Sequence, residues 1–272
     1  MEGARFVHVL ARRPDLRYPF PRNFDARLEG QTVRAVTRRA KYLLVELSSG
    51  EVLMMHLGMS GSFRVERSGT ARERRGVYYH ERNELEIHDH VVFEMSSGRT
   101  VIFNDPRRFG FMKILEAAGP AAGPDKVRPT WDDGVIGPEP LARTFTAATL
   151  ALALGGKKTS LKAALLDQRV VAGLGNIYVC EALHRARLSP KRKASTMATR
   201  TGASTPKAKA LVTAIKTTLR DAIAHNHRPS GEDRFLVYDH EGDRCPRRTC
   251  AGTITRIVQG GRSTFFCPVC QK

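Results

Sequence analysis

Four cysteines crowd the C-terminal end of the chain: Cys245 and Cys250 in a C-x4-C spacing, then Cys267 and Cys270 in a C-x2-C spacing. Thiolates that arrive as two close pairs suit a tetrahedral Zn²⁺, because each short loop sets two sulfurs on one side of the ion. The same residues could instead form two disulfides. Against that chemistry, the opening of the chain does not resemble a signal peptide, and the fifth cysteine, Cys180, stands alone upstream. Between the pairs, residues 253–258 and 263–266 alternate like strands around Gln259-Gly260-Gly261-Arg262. That pattern is a hairpin, and it sets Arg262 near the tip.

A second run with chemical potential is residues 167–178, in which Gly173 and Gly175 lie one residue apart and Asn176 follows. Glycines there permit positive φ, and backbone N–H groups at the start of a new helix can converge on a phosphate oxygen. The spacing serves equally well for an ordinary tight turn between helices.

The charge balance says what such elements meet. Lys and Arg number 45 against 27 Asp and Glu, a formal +18 with a pI near 10.3, while 41% of residues are hydrophobic. A chain that both folds and carries so large a positive excess binds a polyanion, and nucleic acid is the natural one. A membrane surface is disfavoured: no apolar run approaches bilayer length, and the cations are spread along the chain.

The elements that must position these residues follow from periodicity. Residues 4–10, 41–47, 52–57, 91–95 and 100–103 read as strands, with Ser-Ser-Gly turns at 48–50 and 96–98, which predicts an antiparallel sandwich or barrel. Residues 117–130, opening AAGPAAGP, have linker composition. Beyond them the period turns helical, with Leu161, Ala164 and Leu165 behind Thr159-Ser160, and Leu211, Ile215, Leu219 and Ile223 behind Pro206.

The strings RRAKYLL (38–44), HLGMSGSFR (56–64), HDHVVF (88–93), NDPRRFG (104–110), IGPEPL (136–141), DQRVVAGLGNIYVCEAL (167–183) and IVQGGRSTFFCPVCQ (257–271) closely resemble the formamidopyrimidine-DNA glycosylase and endonuclease VIII family. They occur in the family's order over almost the whole chain, and NDPRRFG with the Gly-Gly-Arg hairpin resembles the formamidopyrimidine branch. The resemblance implies an α+β chain. Its parts are an N-terminal antiparallel β-sandwich (1–116), a linker (117–142), a helix-two-turn-helix domain (143–230) and a zinc-finger hairpin (231–272) with one structural zinc. It implies a base-excision repair glycosylase and lyase that binds damaged double-stranded DNA, removes oxidised purines and cuts the strand by β- and δ-elimination. A monomer, cytoplasmic and DNA-associated, is expected.

Residue by residue, the resemblance assigns the gap left by an extruded base to Met59, Arg107 and Phe109. A flexible apolar wedge, a planar fork and an aromatic ring suit that task. Taken alone, Met59 and Phe109 would as readily be core, but Gly58, Gly61, Pro106 and Gly110 around them have loop composition. Lys41, His56, His88, Arg107, Lys157, Lys162, Asn176 and Arg262 match positions that line the DNA backbone. Read singly, each cation would be a solvated surface charge. By the same resemblance Lys41 and Arg262 assist β- and δ-elimination; a guanidinium hardly ever releases its proton, so Arg262 can act as an electrostatic clamp.

Two departures bear on function. The family's attacking group is the amine of an N-terminal Pro followed by Glu, whereas this chain opens Met1-Glu2-Gly3. The spacing to RRAKYLL places that opening about sixteen residues after the family's start. The expectations are a start placed too far downstream or, as the alternative function, a catalytically inactive damaged-DNA binder of the same fold. Second, residues 224–234 lead almost directly to 235–238, where many formamidopyrimidine-branch members carry a long loop over the flipped base. A different base preference is expected, with 8-oxoguanine disfavoured relative to ring-opened purines and hydantoins.

Overall fold

Alternation and turn chemistry build the first half of the chain. In the computed structural model, which describes residues 1–67, 73–75 (backbone), 86–116, 136–224 and 235–272, the chain divides into two compact units, Met1–Asp133 and Gly134–Lys272. The linker expected at 117–130 and the short segment at 225–234 lie outside the described residues.

The first unit holds β1 (Phe6–Ala11), α1 (Phe24–Leu28), β2 (Val33–Arg39), β3 (Tyr42–Leu47), β4 (Val52–His56), β5 (Ser62–Arg67), β6 (Glu73–Arg75), β7 (Asp89–Met95), β8 (Arg99–Asn104) and β9 (Phe111–Leu115). One sheet runs β1-β7-β8-β5-β6 and the other β2-β3-β4-β9, and the pairings among these described strands are all antiparallel. Inward residues of both sheets, among them Phe6, Phe93, Phe103, Val45, Leu53 and Met55, form one buried cluster, so the expected sandwich is present. Gly50 (φ 87°) and Gly98 (φ 71°) make the two reversals as their Ser-Ser-Gly settings predict.

The strand β4 leaves one sheet at His56 and re-enters the other at Ser62, while β8 leaves at Asn104 and returns as β9 at Phe111. Register pairs His56 with Phe111 and Ser62 with Asn104. The two crossovers, 57–61 and 105–110, are therefore held side by side at one end of the sandwich.

The second unit is α2 (Ala147–Leu154), α3 (Leu161–Leu166), α4 (Asn176–Arg185), α5 (Pro206–Ala224) and the hairpin β10 (Thr255–Gln259) with β11 (Arg262–Phe266). Two of its helices start where the sequence signals them, with the Ser160 hydroxyl accepting the Ala163 N–H and Pro206 opening α5, and Thr146 and Thr149 cap α2 reciprocally. Leu211 and Ile215 are buried as predicted and Leu219 packs against the same core, but Ile223 is exposed near the end of α5. Among the described residues no helix is long and apolar enough to cross a membrane.

Candidate nucleic-acid interface and metal centre

In the first unit, register gathers the expected residues. Tyr42 faces His56 across β3 and β4, so Lys41, in the tight β2–β3 turn after Ala40 (φ 54°), lies beside the β4 end. The His56 ring stacks on Phe111 (centroids 5.3 Å, 10° between planes) and packs against Tyr42, and its Nδ1 accepts the Gly58 N–H at 2.9 Å. That acceptor role leaves Nε2 to carry the ring proton. Burial, then the charges of Lys41 and Arg17, hold the His56 pKa below its ordinary value.

The two crossovers present the gap-filling candidates as loop residues. Met59 is 66% exposed and Phe109 41% exposed, so neither belongs to the core. The Arg107 guanidinium lies over the Phe109 ring at 4.6 Å, and Arg107 is exposed. Beneath this exposed tip is a polar base that sequence reasoning missed. Asp105, wholly buried, accepts the Ser60 hydroxyl and the Gly110 N–H (2.8 Å), and its carbonyl O lies 3.0 Å from His90 Nε2. The signal was present in NDPRRFG: an Asp ahead of Pro, with Gly five residues on, is the chemistry of a side chain closing its own loop. His88 joins through its carbonyl, which accepts the Asp105 N–H at 3.0 Å, and its ring is half-buried.

Glu2 sits elsewhere. Its Oε1 accepts the Val36 N–H on β2 at 2.7 Å, so in this structure that carboxylate completes a backbone edge.

In the second unit the hairpin tip is exposed at Arg262 and held from below. The Ser263 carbonyl accepts from Asn176 Nδ2 (2.9 Å) and from Lys162 Nζ (3.1 Å), and Lys162 also donates to Thr264 Oγ1. Lys162 differs from the other expected cations: its side chain is wholly buried and bound to the hairpin, so in this structure it braces β11. Burial, against which a Cys180 contribution is outweighed, lowers its pKa, with Arg262 adding to the same direction. Lys157 is half-buried in the turn between α2 and α3, where Gly156 takes φ 70°. At the glycine turn only Gly173 uses the left-handed region (φ 74°); Gly175 caps α4 at φ −113°.

The cysteine sulfurs settle the choice between zinc and disulfides. The Sγ atoms of Cys245, Cys250, Cys267 and Cys270 all lie within 4.8 Å of one another, with 3.8 Å between Cys245 and Cys270 and 3.6 Å between Cys250 and Cys267. A tetrahedron with Zn–S of about 2.3 Å has edges of about 3.8 Å, whereas a disulfide needs about 2.05 Å. Gly252 is required at this centre, since a Cβ there would meet Cys267 Sγ at 2.6 Å.

The centre rests on α4. Buried Glu181 accepts the N–H groups of Leu236, Val237 and Tyr238 (2.8–3.0 Å), Arg247 donates to the His184 and Arg185 carbonyls, and His184 Nε2 lies 3.5 Å from Cys245 Sγ. Glu181 was not foreseen; a single acid in a helix gives little signal of its burial.

Comparison with known proteins accounts for both constellations. The model of the formamidopyrimidine-DNA glycosylase N-terminal domain matches residues 1–112, that of the H2TH domain 136–231, and that of a zinc finger found in FPG and IleRS 242–272. The chain belongs to the formamidopyrimidine-DNA glycosylase family. A formamidopyrimidine-DNA glycosylase of Rhodopseudomonas palustris is 58% identical and one of Afipia carboxidovorans 55%, each over all of this chain and 94% of that protein. Among solved structures, MutM in complex with DNA containing carbocyclic 8-oxo-G aligns with a TM-score of 0.79 at 28% identity, covering 100% of this chain and 94% of that one. The Lactococcus lactis Fpg complex with abasic-site DNA aligns at 0.78 and 27%, with the same coverage. As in that family's zinc finger, the four cysteines hold one structural zinc.

Proposed function

We propose that this chain binds damaged duplex DNA, extrudes an oxidised purine, excises it and cuts the strand by β- and δ-elimination. The observation that carries the reading is the pair of crossovers at one end of the sandwich, which expose Met59, Arg107 and Phe109 while burying the groups that hold them. Exposed apolar side chains on a rigid base are suited to replace the stacking lost when a base leaves the helix.

The other roles follow from placement and residue chemistry. Lys41, His56 through Nε2, His88 and Arg107 on the first unit, and Lys157, Asn176 and Arg262 on the second, donate to phosphate oxygens around the flipped nucleotide. Lys41 serves β-elimination as a proton donor, and Arg262 stabilises charge during δ-elimination. Zinc supplies no step: when bound it fixes the hairpin, and the sulfurs of Cys245, Cys250, Cys267 and Cys270 are its ligands.

The test is a comparison of Phe109→Ala with the native chain on undamaged duplex and on duplex with a stable abasic site. A stacking side chain contributes about 1–3 kcal/mol per base, so affinity for the abasic duplex is expected to fall by roughly 5- to 150-fold, and for undamaged duplex far less. Equal losses would place Phe109 outside the gap.

A further inference from the structure

The three gap-filling side chains sit on two different crossovers, yet the structure joins those crossovers on both flanks of Met59. Before it, Gly58 (φ 66°) lies so close to the other loop that a Cβ would meet Phe109 C at 2.4 Å and Gly110 N at 2.6 Å. After it, the Ser60 hydroxyl accepts the Arg107 N–H at 3.2 Å and donates to Asp105, whose second oxygen accepts the Gly110 N–H at 2.8 Å. Arg107 N–H, the Ser60 hydroxyl and the Asp105 carboxylate thus form one hydrogen-bonded chain spanning both loops. Ser60 is 8% exposed and Asp105 wholly buried. An apolar residue would fill such a place with less desolvation, so the polar pair is there to fix geometry.

We infer that Ser60 and Asp105 are positioning residues that make the Met59 loop and the Arg107–Phe109 loop enter a duplex as one body. The inference rests on the gap-filling reading above and adds to it a coupling: the Met59 loop cannot insert while the Arg107–Phe109 loop is withdrawn. Neither residue touches DNA; each acts through the loops it ties. An enzyme built this way responds to an already weakened base step in one concerted event, where two independent wedges would sample partial insertion at every step.

A double-mutant cycle tests the coupling by binding alone, using duplex that contains a tetrahydrofuran abasic analogue. In the native chain, Met59→Ala and Phe109→Ala are each expected to weaken binding nearly as much as the two together, because losing one wedge loses the joint insertion. In a Ser60→Ala background the two fold-losses are expected to multiply, and Ser60→Thr, which keeps the hydroxyl, to restore native behaviour. Losses that multiply in the native chain, or that still fail to multiply in Ser60→Ala, overturn the inference. Melting and zinc content identify a misfolded variant; Asp105→Asn then replaces Ser60→Ala with the same expectation. A native chain that does not prefer the abasic duplex over undamaged duplex overturns the gap-filling reading itself, which separates the two failures.

Discussion

The wedge loops of the first unit and the hairpin of the second solve the same problem with different bonds. Each exposes a tip of candidate DNA-contacting residues, Met59, Arg107 and Phe109 in one case and Arg262 in the other, above a buried polar base. In the wedge loops the base is Ser60 and Asp105, whose hydrogen bonds join two crossovers already paired through neighbouring strands. In the hairpin it is a four-sulfur metal centre, with Lys162 and Asn176 gripping Ser263. The difference follows from what surrounds each. The sandwich has two sheets and a shared apolar core to hold its ends, whereas a two-stranded hairpin is marginal in water without a partner or an ion.

That contrast predicts its own largest break. Removing zinc, by chelation or by Cys267→Ser, is expected to abolish DNA binding and to lower the stability of the second unit by several kcal/mol, while the β signal of the sandwich persists. Circular dichroism and metal content measured on one sample check this. Retained affinity with metal lost would mean that the hairpin stands on α4 without its ion, through Glu181 and Arg247.

A smaller effect sharpens the comparison at the brace. Lys162→Met is expected to weaken DNA binding several-fold while leaving the slope of log affinity against log salt unchanged. A buried ammonium bonded to Ser263 and Thr264 releases no counterion. Arg262→Ala, by contrast, is expected to reduce that slope by about 0.9, the value for one phosphate contact on duplex DNA. A comparable reduction in Lys162→Met would restore Lys162 to the phosphate-binding set.

How far the sequence reached differs between the regions for the same physical reason. The strands, the Ser-Ser-Gly turns, the starts of α3 and α5 and the cysteine pairs were legible because each rests on local chemistry or a short period. The exposed tips were legible as well: glycines and Pro106 around Met59 and Phe109 spoke for loops. What failed was the identity of buried polar groups. Lys162 looks like any other cation of a basic helix, and only the fold reveals that β11 closes over it. Asp105 and Glu181 were passed over because a carboxylate's burial depends on which N–H groups the tertiary structure brings to it, across the crossover in one case and from residues 236–238 in the other. Gly173 and Gly175 show the limit even locally, since two glycines permit left-handed backbone and only one adopts it.

The smallest predicted effect concerns pH and distinguishes the two ends again. His56 is packed between Tyr42 and Phe111 with Lys41 and Arg17 near it, and burial first, then those charges, lower its pKa. The sign follows directly: the folded state favours neutral His56, so its contribution is full above the ordinary histidine value of about 6.5 and is lost as pH falls from there toward the depressed folded value. The zinc centre also weakens in acid, because its thiolates take up protons, so acid melting alone cannot separate the two. His56→Asn does, since Asn offers an acceptor near the place of Nδ1 for the Gly58 N–H and does not titrate. The drop in melting temperature between pH 7.5 and pH 5.5, on the order of one unit either side of that ordinary value, is expected to be a few degrees smaller in His56→Asn than in the native chain. Identical drops would mean that protonation of His56 costs the folded sandwich nothing, and that its ring turns Nε2 freely to water.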